Sequence, residues 1–105
     1  MDKKKLNTII NNRAKTDEND TNALERIWHD EIAVLSEDIS GTMDYLINEC
    51  TAEEYSWISE IIDNLIETTK SRELLECYKK LSEKYPTEYA EYNISFCITE
   101  AEAFL

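Results

Sequence analysis

The sequence contains very little glycine, proline or histidine, with one residue of each in a chain of 105. Tight hairpin turns and glycine-rich phosphate loops both depend on glycine, so these structures are nearly excluded. No apolar run approaches the roughly 18 residues that a membrane-spanning helix needs. The composition therefore predicts an all-α fold, a single domain built as a bundle or array of about five to seven short antiparallel helices.

Residues that commonly carry catalysis or bind metals are scattered along the chain. His29 is the only imidazole, and Cys50, Cys77 and Cys97 are far apart and odd in number. Zinc sites and disulfide frameworks need paired ligands, and a nucleophilic enzyme needs a base beside its serine or cysteine. We therefore expect no enzyme activity, no metal site and no cofactor, and we interpret the cysteines as small, buried thiols.

One carboxylate pair leaves an enzymatic alternative open. Glu60 and Asp63 have the E-x-x-D spacing of the all-helical nucleotide pyrophosphohydrolases, which hold a metal between this pair and an E-E-x-x-E pair. Glu53 and Glu54 begin the second pattern but do not complete it. Glu60 and Asp63 are also predicted to point away from the apolar core. A metal-dependent pyrophosphohydrolase is therefore the weakest of the functional interpretations.

Basic residues are scarce in the middle of the chain. Residues 17–67 contain fifteen acids and a single base, Arg26, within a chain of net charge −12. The two flanking segments, residues 1–15 and residues 70–84, carry an excess of bases. An acidic surface opposes binding to nucleic acid and to anionic membranes. It favours a basic protein partner and fast, salt-sensitive association.

Apolar periodicity predicts the helices in turn. The clearest is residues 51–69, where Thr51 and Glu54 have the spacing of a capping box and apolar residues recur every three or four positions. The segment Ser40–Thr42, which holds the only glycine, is predicted to end or bend the second helix. The other predicted helices span residues 2–15, 21–39, 43–50 and 72–85, followed by a short helix capped by Thr87 and a last helix that begins between Asn93 and Ser95.

Two carboxylates conflict with the apolar face of the second predicted helix. Glu31 and Asp38 follow Leu24 at seven-residue steps, so the three side chains project in nearly the same direction. Burying an unpaired carboxylate is costly, and few bases lie nearby in the sequence. A basic group of another protein can resolve the conflict. Alternatively, the helix breaks or rotates before Asp38, which leaves both carboxylates at a solvated edge.

Trp57 is predicted to lie on the acidic side of the 51–69 helix rather than on its apolar stripe. It either anchors a partner from an exposed position or packs against a neighbouring helix at the edge of the core. The acids around it and those of the second helix complete a predicted partner-binding surface. Its candidate residues are Asp30, Glu31, Asp38, Glu53, Trp57, Glu60 and Asp63.

Four short motifs in the C-terminal half carry a family resemblance. They are W-I-S-E-I at 57–61, T-K-S-R-E at 69–73, E-K-Y-P at 83–86 and Y-N-I at 92–94. In this order they resemble the small helical immunity proteins that are encoded beside bacterial polymorphic toxins, including those of contact-dependent growth inhibition. The N-terminal half carries no such resemblance.

The resemblance implies inhibition by direct binding. Such a protein resides in the cytoplasm, forms a one-to-one complex with the toxin domain encoded beside it, and blocks the active site or substrate entry of that domain. Many of these toxins are nucleases with basic grooves, and an RNase is the preferred expectation. The alternative from the residues alone is a non-catalytic helical adaptor or regulator that binds another basic protein.

Overall fold

The computed structural model describes all 105 residues and contains eight helices and no β-strand. The all-α prediction is confirmed, and its estimate of the number of helices was slightly low. Their bounds are α1 Lys3–Lys15, α2 Thr21–Glu37, α3 Ile39–Asn48, α4 Ala52–Ile58, α5 Ile62–Thr69, α6 Arg72–Lys84, α7 Pro86–Glu91 and α8 Ile94–Glu102. None of the eight helices has both the length and the apolar character needed to cross a membrane.

The predicted 51–69 helix is two helices, α4 and α5, because the chain tightens at residues 59–61. The Thr51–Glu54 capping box is present as expected. At the end of α4 the Ser56 hydroxyl donates to the Glu53 carbonyl and the Ser59 hydroxyl to the Ser56 carbonyl. Backbone bonds from Glu60 and Ile61 then span only three residues. Serine hydroxyls that bond local carbonyls weaken a helix, which apolar periodicity does not reveal.

The second predicted helix ends at Glu37, and Asp38 begins the next one. The Asp38 carboxylate caps α3 by accepting a hydrogen bond from the Gly41 N–H at 3.1 Å. The predicted break in this region is confirmed, but it falls before Ser40, and Gly41 lies inside the first turn of α3. A Cβ atom at Gly41 would lie 2.6 Å from Asp38 Oδ2. Because Gly41 has no side chain, the Asp38 carboxylate can approach the backbone of the first turn of α3.

The core forms where helices that are distant in sequence meet. The most extensive contacts join α5 to α8, α1 to α2, and α3 to α6. Other helices that follow each other in the chain are also in contact, but less extensively: α2 with α3, α5 with α6, α6 with α7, and α7 with α8. The radius of gyration is 12.6 Å, close to the roughly 13 Å expected for a folded chain of about 100 residues. This packing brings α8 and the end of α7 towards the ends of α1 and α4.

Candidate partner-binding cleft

A cleft of about 520 Å³ opens where the end of α1, the start of α2, the α4–α5 turn and the α7–α8 junction meet. Both tryptophans of the chain line it, and we call it the tryptophan cleft. Its other residues are a tyrosine, three charged side chains and four smaller groups. The lining residues are Arg13, Glu18, Leu24, Trp28, Ser56, Trp57, Ser59, Glu60, Tyr92 and Cys97.

An ion pair between Arg13 and Glu60 forms one side of the tryptophan cleft. Arg13 Nε donates to Glu60 Oε1 at 2.9 Å, and Arg13 Nη2 donates to Glu60 Oε2 at 2.8 Å. Trp28 Nε1 also donates to Glu60 Oε1, at 3.3 Å, and the Arg13 guanidinium lies 5.7 Å from the centre of the Trp57 ring. Arg13 is only 6 % exposed. The two-point pairing therefore fixes α1 against the α4–α5 turn.

Glu31 is buried beside this pair and is therefore not part of an exposed acidic surface. It is 3 % exposed, and its Oε2 atom has no hydrogen-bond partner. Burial raises its pKa from 4.5 to about 8, helped by the negative charge of Glu60 and opposed by Arg13. The sequence left two alternatives for Glu31: a solvated position, or a base supplied by another protein. Both are wrong, because Glu31 is buried and the nearby cation is Arg13 of the same chain.

The pKa of Glu31 predicts how stability changes with pH. Between about pH 4.5 and about pH 8 the unfolded chain loses the Glu31 proton while the folded protein keeps it. The contribution of this residue to stability therefore falls as the pH rises, and it levels off above about pH 8. We expect Glu31→Gln to match the wild type near pH 5 and to exceed its free energy of unfolding by about 3 kcal/mol near pH 8.

Urea denaturation of both proteins across this pH range measures the difference. The exposed residue Glu25 provides the control, because Glu25→Gln makes the same chemical change in solvent. If the stability of Glu31→Gln relative to the wild type does not change with pH, the raised pKa of Glu31 is wrong.

The tryptophan cleft unites Trp57 and Glu60, and Glu31 adjoins them, but the other four candidate residues lie outside its lining. Asp38 is exposed at the start of α3 and forms a 2.8 Å salt bridge with the terminal amino group. That ammonium group and then the Gly41 N–H lower its pKa. Asp30 and Glu53 are exposed on α2 and α4, and Asp63 is half-buried in the first turn of α5. The seven candidates therefore do not form one compact site.

Four important residues of the cleft were absent from the sequence-based candidates: Arg13, Glu18, Trp28 and Tyr92. A signal existed for Arg13, which follows the buried Ile9 by four residues and therefore lies on the inward face of α1. Trp28 likewise shares a helix face with Leu24 and Glu31. Glu18 and Tyr92 lie in connections between helices, where periodicity gives no information.

Most carboxylates of the acidic segment, residues 17–67, have no basic partner within the chain. Three of the fifteen form a salt bridge, namely Asp38, Glu49 and Glu60, and of the remaining twelve all but the buried Glu31 are at least partly exposed. A separate groove between α3 and α6 is lined by three bases, Arg72, Lys80 and Lys84, and by two acids, Glu73 and Glu76, so its lining carries a net charge of +1. Two further bases, Lys4 and Lys5, line a groove with Asp30 and Glu37, but most carboxylates of residues 17–67 form no salt bridge.

The metal-enzyme alternative gains no support from the arrangement of ligands. No group of three or more His, Cys, Asp or Glu side chains is placed to hold a metal ion. Glu60 accepts hydrogen bonds from Arg13 and Trp28 rather than facing further carboxylates. Comparison of the chain with protein-family models, curated proteins and solved structures gives no match.

Proposed function

We propose that this protein is an immunity protein that neutralises a basic bacterial toxin domain, a nuclease and preferentially an RNase, by covering its active site. The protein acts in the cytoplasm, and its acidic surface occupies the groove that otherwise binds the phosphates of the substrate. The resemblance of the C-terminal half to polymorphic-toxin immunity proteins suggests the class of partner. The observation that carries the proposal is the uncompensated charge of residues 17–67.

The charge argument depends on what the carboxylates contact in the free protein. A carboxylate that already has a basic partner offers little to another protein, because the first ion pair must be broken. Eleven of the fifteen acids in residues 17–67 form no salt bridge and are at least partly exposed, because three are paired and Glu31 is buried. A basic groove can therefore gain new ion pairs at little cost to the inhibitor, and the uncompensated charge accelerates encounter.

The tryptophan cleft supplies the apolar part of such an interface. Energetically dominant residues of protein interfaces are enriched in tryptophan, tyrosine and arginine. Trp28 and Trp57 are partly exposed at the cleft, and Tyr92 at its rim is 51 % exposed. These aromatic side chains lie beside the carboxylates of Glu18 and Glu60. Acidic groups and aromatic side chains therefore occur together, a combination suited to binding a basic partner.

Co-expression with the toxin domain encoded beside this protein tests the proposal. Cells that produce the toxin domain alone should stop growing, whereas cells that also produce this protein should grow, and the two proteins should co-purify as a one-to-one complex. An immunity protein of an unrelated toxin serves as the control. If growth stops in the presence of the folded protein and no complex forms, the proposal is wrong, and the adaptor interpretation is preferred.

A further inference from the structure

We infer that the tryptophan cleft is the receptor for one arginine side chain of the partner protein. This inference rests on the proposed function and specifies the chemistry by which the acidic surface recognises its toxin. The incoming guanidinium would lie between the aromatic side chains and meet the carboxylates of Glu18 and Glu60. Three features of the cleft support this assignment: its aromatic walls, its net charge and its unused hydrogen-bond acceptors.

The aromatic walls suit a planar cation. A guanidinium stacks on the faces of tryptophan and tyrosine, where the ring quadrupole attracts positive charge. The cleft already contains one guanidinium near an aromatic ring, because that of Arg13 lies 5.7 Å from the centre of the Trp57 ring. Arg13 does not fill the cleft, since it is only 6 % exposed and about 520 Å³ remains open beside it. Trp28, Trp57 and Tyr92 therefore remain accessible to a second cation.

The charge of the cleft fits one incoming cation. Arg13 compensates Glu60, while Glu18 is exposed and forms no salt bridge. Glu31, adjacent to the pair, has a pKa of about 8 and is mostly neutral near pH 7. The lining therefore carries one net negative charge, and a single guanidinium would neutralise it. A neutral or acidic side chain would leave Glu18 without a partner.

The carboxylates of Glu18 and Glu60 can also accept further hydrogen bonds. Glu60 Oε1 accepts from Arg13 Nε and Trp28 Nε1, but Oε2 accepts only from Arg13 Nη2. The side chain of Glu60 is 26 % exposed, so this carboxylate is within reach of a partner. Both oxygens of Glu18 are free. Arginine, with five N–H donors in one plane, can serve two carboxylates together, whereas the compact ammonium of lysine cannot stack in the same way.

Tryptophan fluorescence gives a direct test, because both tryptophans of the chain line the cleft. The probes are three capped tripeptides, Gly-Arg-Gly, Gly-Lys-Gly and Gly-citrulline-Gly, the last being a neutral analogue of the first. We expect a saturable change in fluorescence with the arginine peptide, weaker binding of the lysine peptide, and no saturation with the citrulline peptide.

A pair of matched variants separates the cleft from the general charge of the protein. Glu18→Gln removes a carboxylate that lines the cleft, and Glu25→Gln removes an exposed carboxylate of α2 outside it. We expect Glu18→Gln to weaken arginine-peptide binding about threefold to fivefold, the size of one partly exposed ion pair. Glu25→Gln should leave binding unchanged at moderate salt, because distant charges are screened.

Three results would overturn the inference: no saturable response to the arginine peptide, equal responses to arginine and citrulline, or equal effects of the two variants. The experiments distinguish a failure of this inference from a failure of the proposed function. Neutralisation of the toxin without arginine-peptide binding would reject the role of the cleft and keep the immunity function. Binding of the arginine peptide without neutralisation of any toxin would reject the immunity function and keep the cation-binding cleft.

Discussion

Replacing Glu18, Asp30 and Glu53 together by lysine is expected to weaken toxin binding roughly 100-fold at low salt, because like charges across an interface repel and encounter slows. These three acids are exposed, and none forms a salt bridge. The substitutions should therefore leave the fold intact, apart from a small loss from Glu53 in the first turn of α4. Calorimetric titration of the variant against the toxin domain measures the affinity, and circular dichroism verifies the fold.

The matched control reverses an equal number of charges elsewhere. Arg72, Lys80 and Lys84 line the groove between α3 and α6, and their replacement by glutamate should leave toxin affinity unchanged or slightly increase it. The difference between the two triple variants should shrink as ionic strength rises from about 50 mM to about 500 mM, because salt screens exposed charges. Wild-type affinity in the Glu18, Asp30, Glu53 variant would contradict the acidic-surface proposal.

Arg13→Met is expected to lower the free energy of unfolding by about 1–3 kcal/mol, because removing Arg13 from this partly buried ion pair leaves the charge of Glu60 without a partner. Methionine keeps much of the apolar stem of arginine, so the loss reports mainly on the guanidinium. That guanidinium makes both bonds to Glu60 and lies against the Trp57 ring. Chemical denaturation measures the change.

Lys15→Met is the matched control for Arg13→Met. Lys15 is exposed in the same last turn of α1 and forms no salt bridge, so this substitution removes the same charge from the same end of the helix. We expect it to cost less than about 1 kcal/mol, the usual size of a helix-dipole contribution. Adding Glu60→Gln to Arg13→Met should recover part of the loss. Equal losses in the two single variants would show that the Arg13–Glu60 pair does not hold α1 in place.

Local signals in the sequence were sufficient for most of the helices. The capping box of Thr51 and Glu54 and the apolar period of each helix depend on residues within one or two turns of each other. The division of the 51–69 segment was missed, because hydroxyl bonds from Ser56 and Ser59 compete with the helix without disturbing the apolar pattern. Apolar periodicity therefore predicted which side of the 51–69 segment faces the core, but not that the segment is divided into two helices.

The candidate site could be predicted only in part, because its parts come from separate helices. The position of Glu31 on an apolar face indicated an unusual environment, yet its neighbouring cation, Arg13, comes from α1. Trp57 was predicted either as an exposed anchor or as a residue at the edge of the core. It is half-buried with one face towards Arg13 and lines a cleft, which combines the two alternatives.

The most direct measurement is the nuclease activity of the purified toxin domain in the presence of increasing amounts of this protein. If the acidic surface covers the active site, activity should fall linearly to zero at one equivalent, and excess RNA substrate should slow the onset of inhibition because both compete for one groove. The Arg72, Lys80, Lys84 charge-reversal variant should inhibit equally well. Undiminished activity at about a tenfold molar excess of the folded protein, with its concentration above the roughly micromolar dissociation constant of a weak specific complex, would contradict the proposed function.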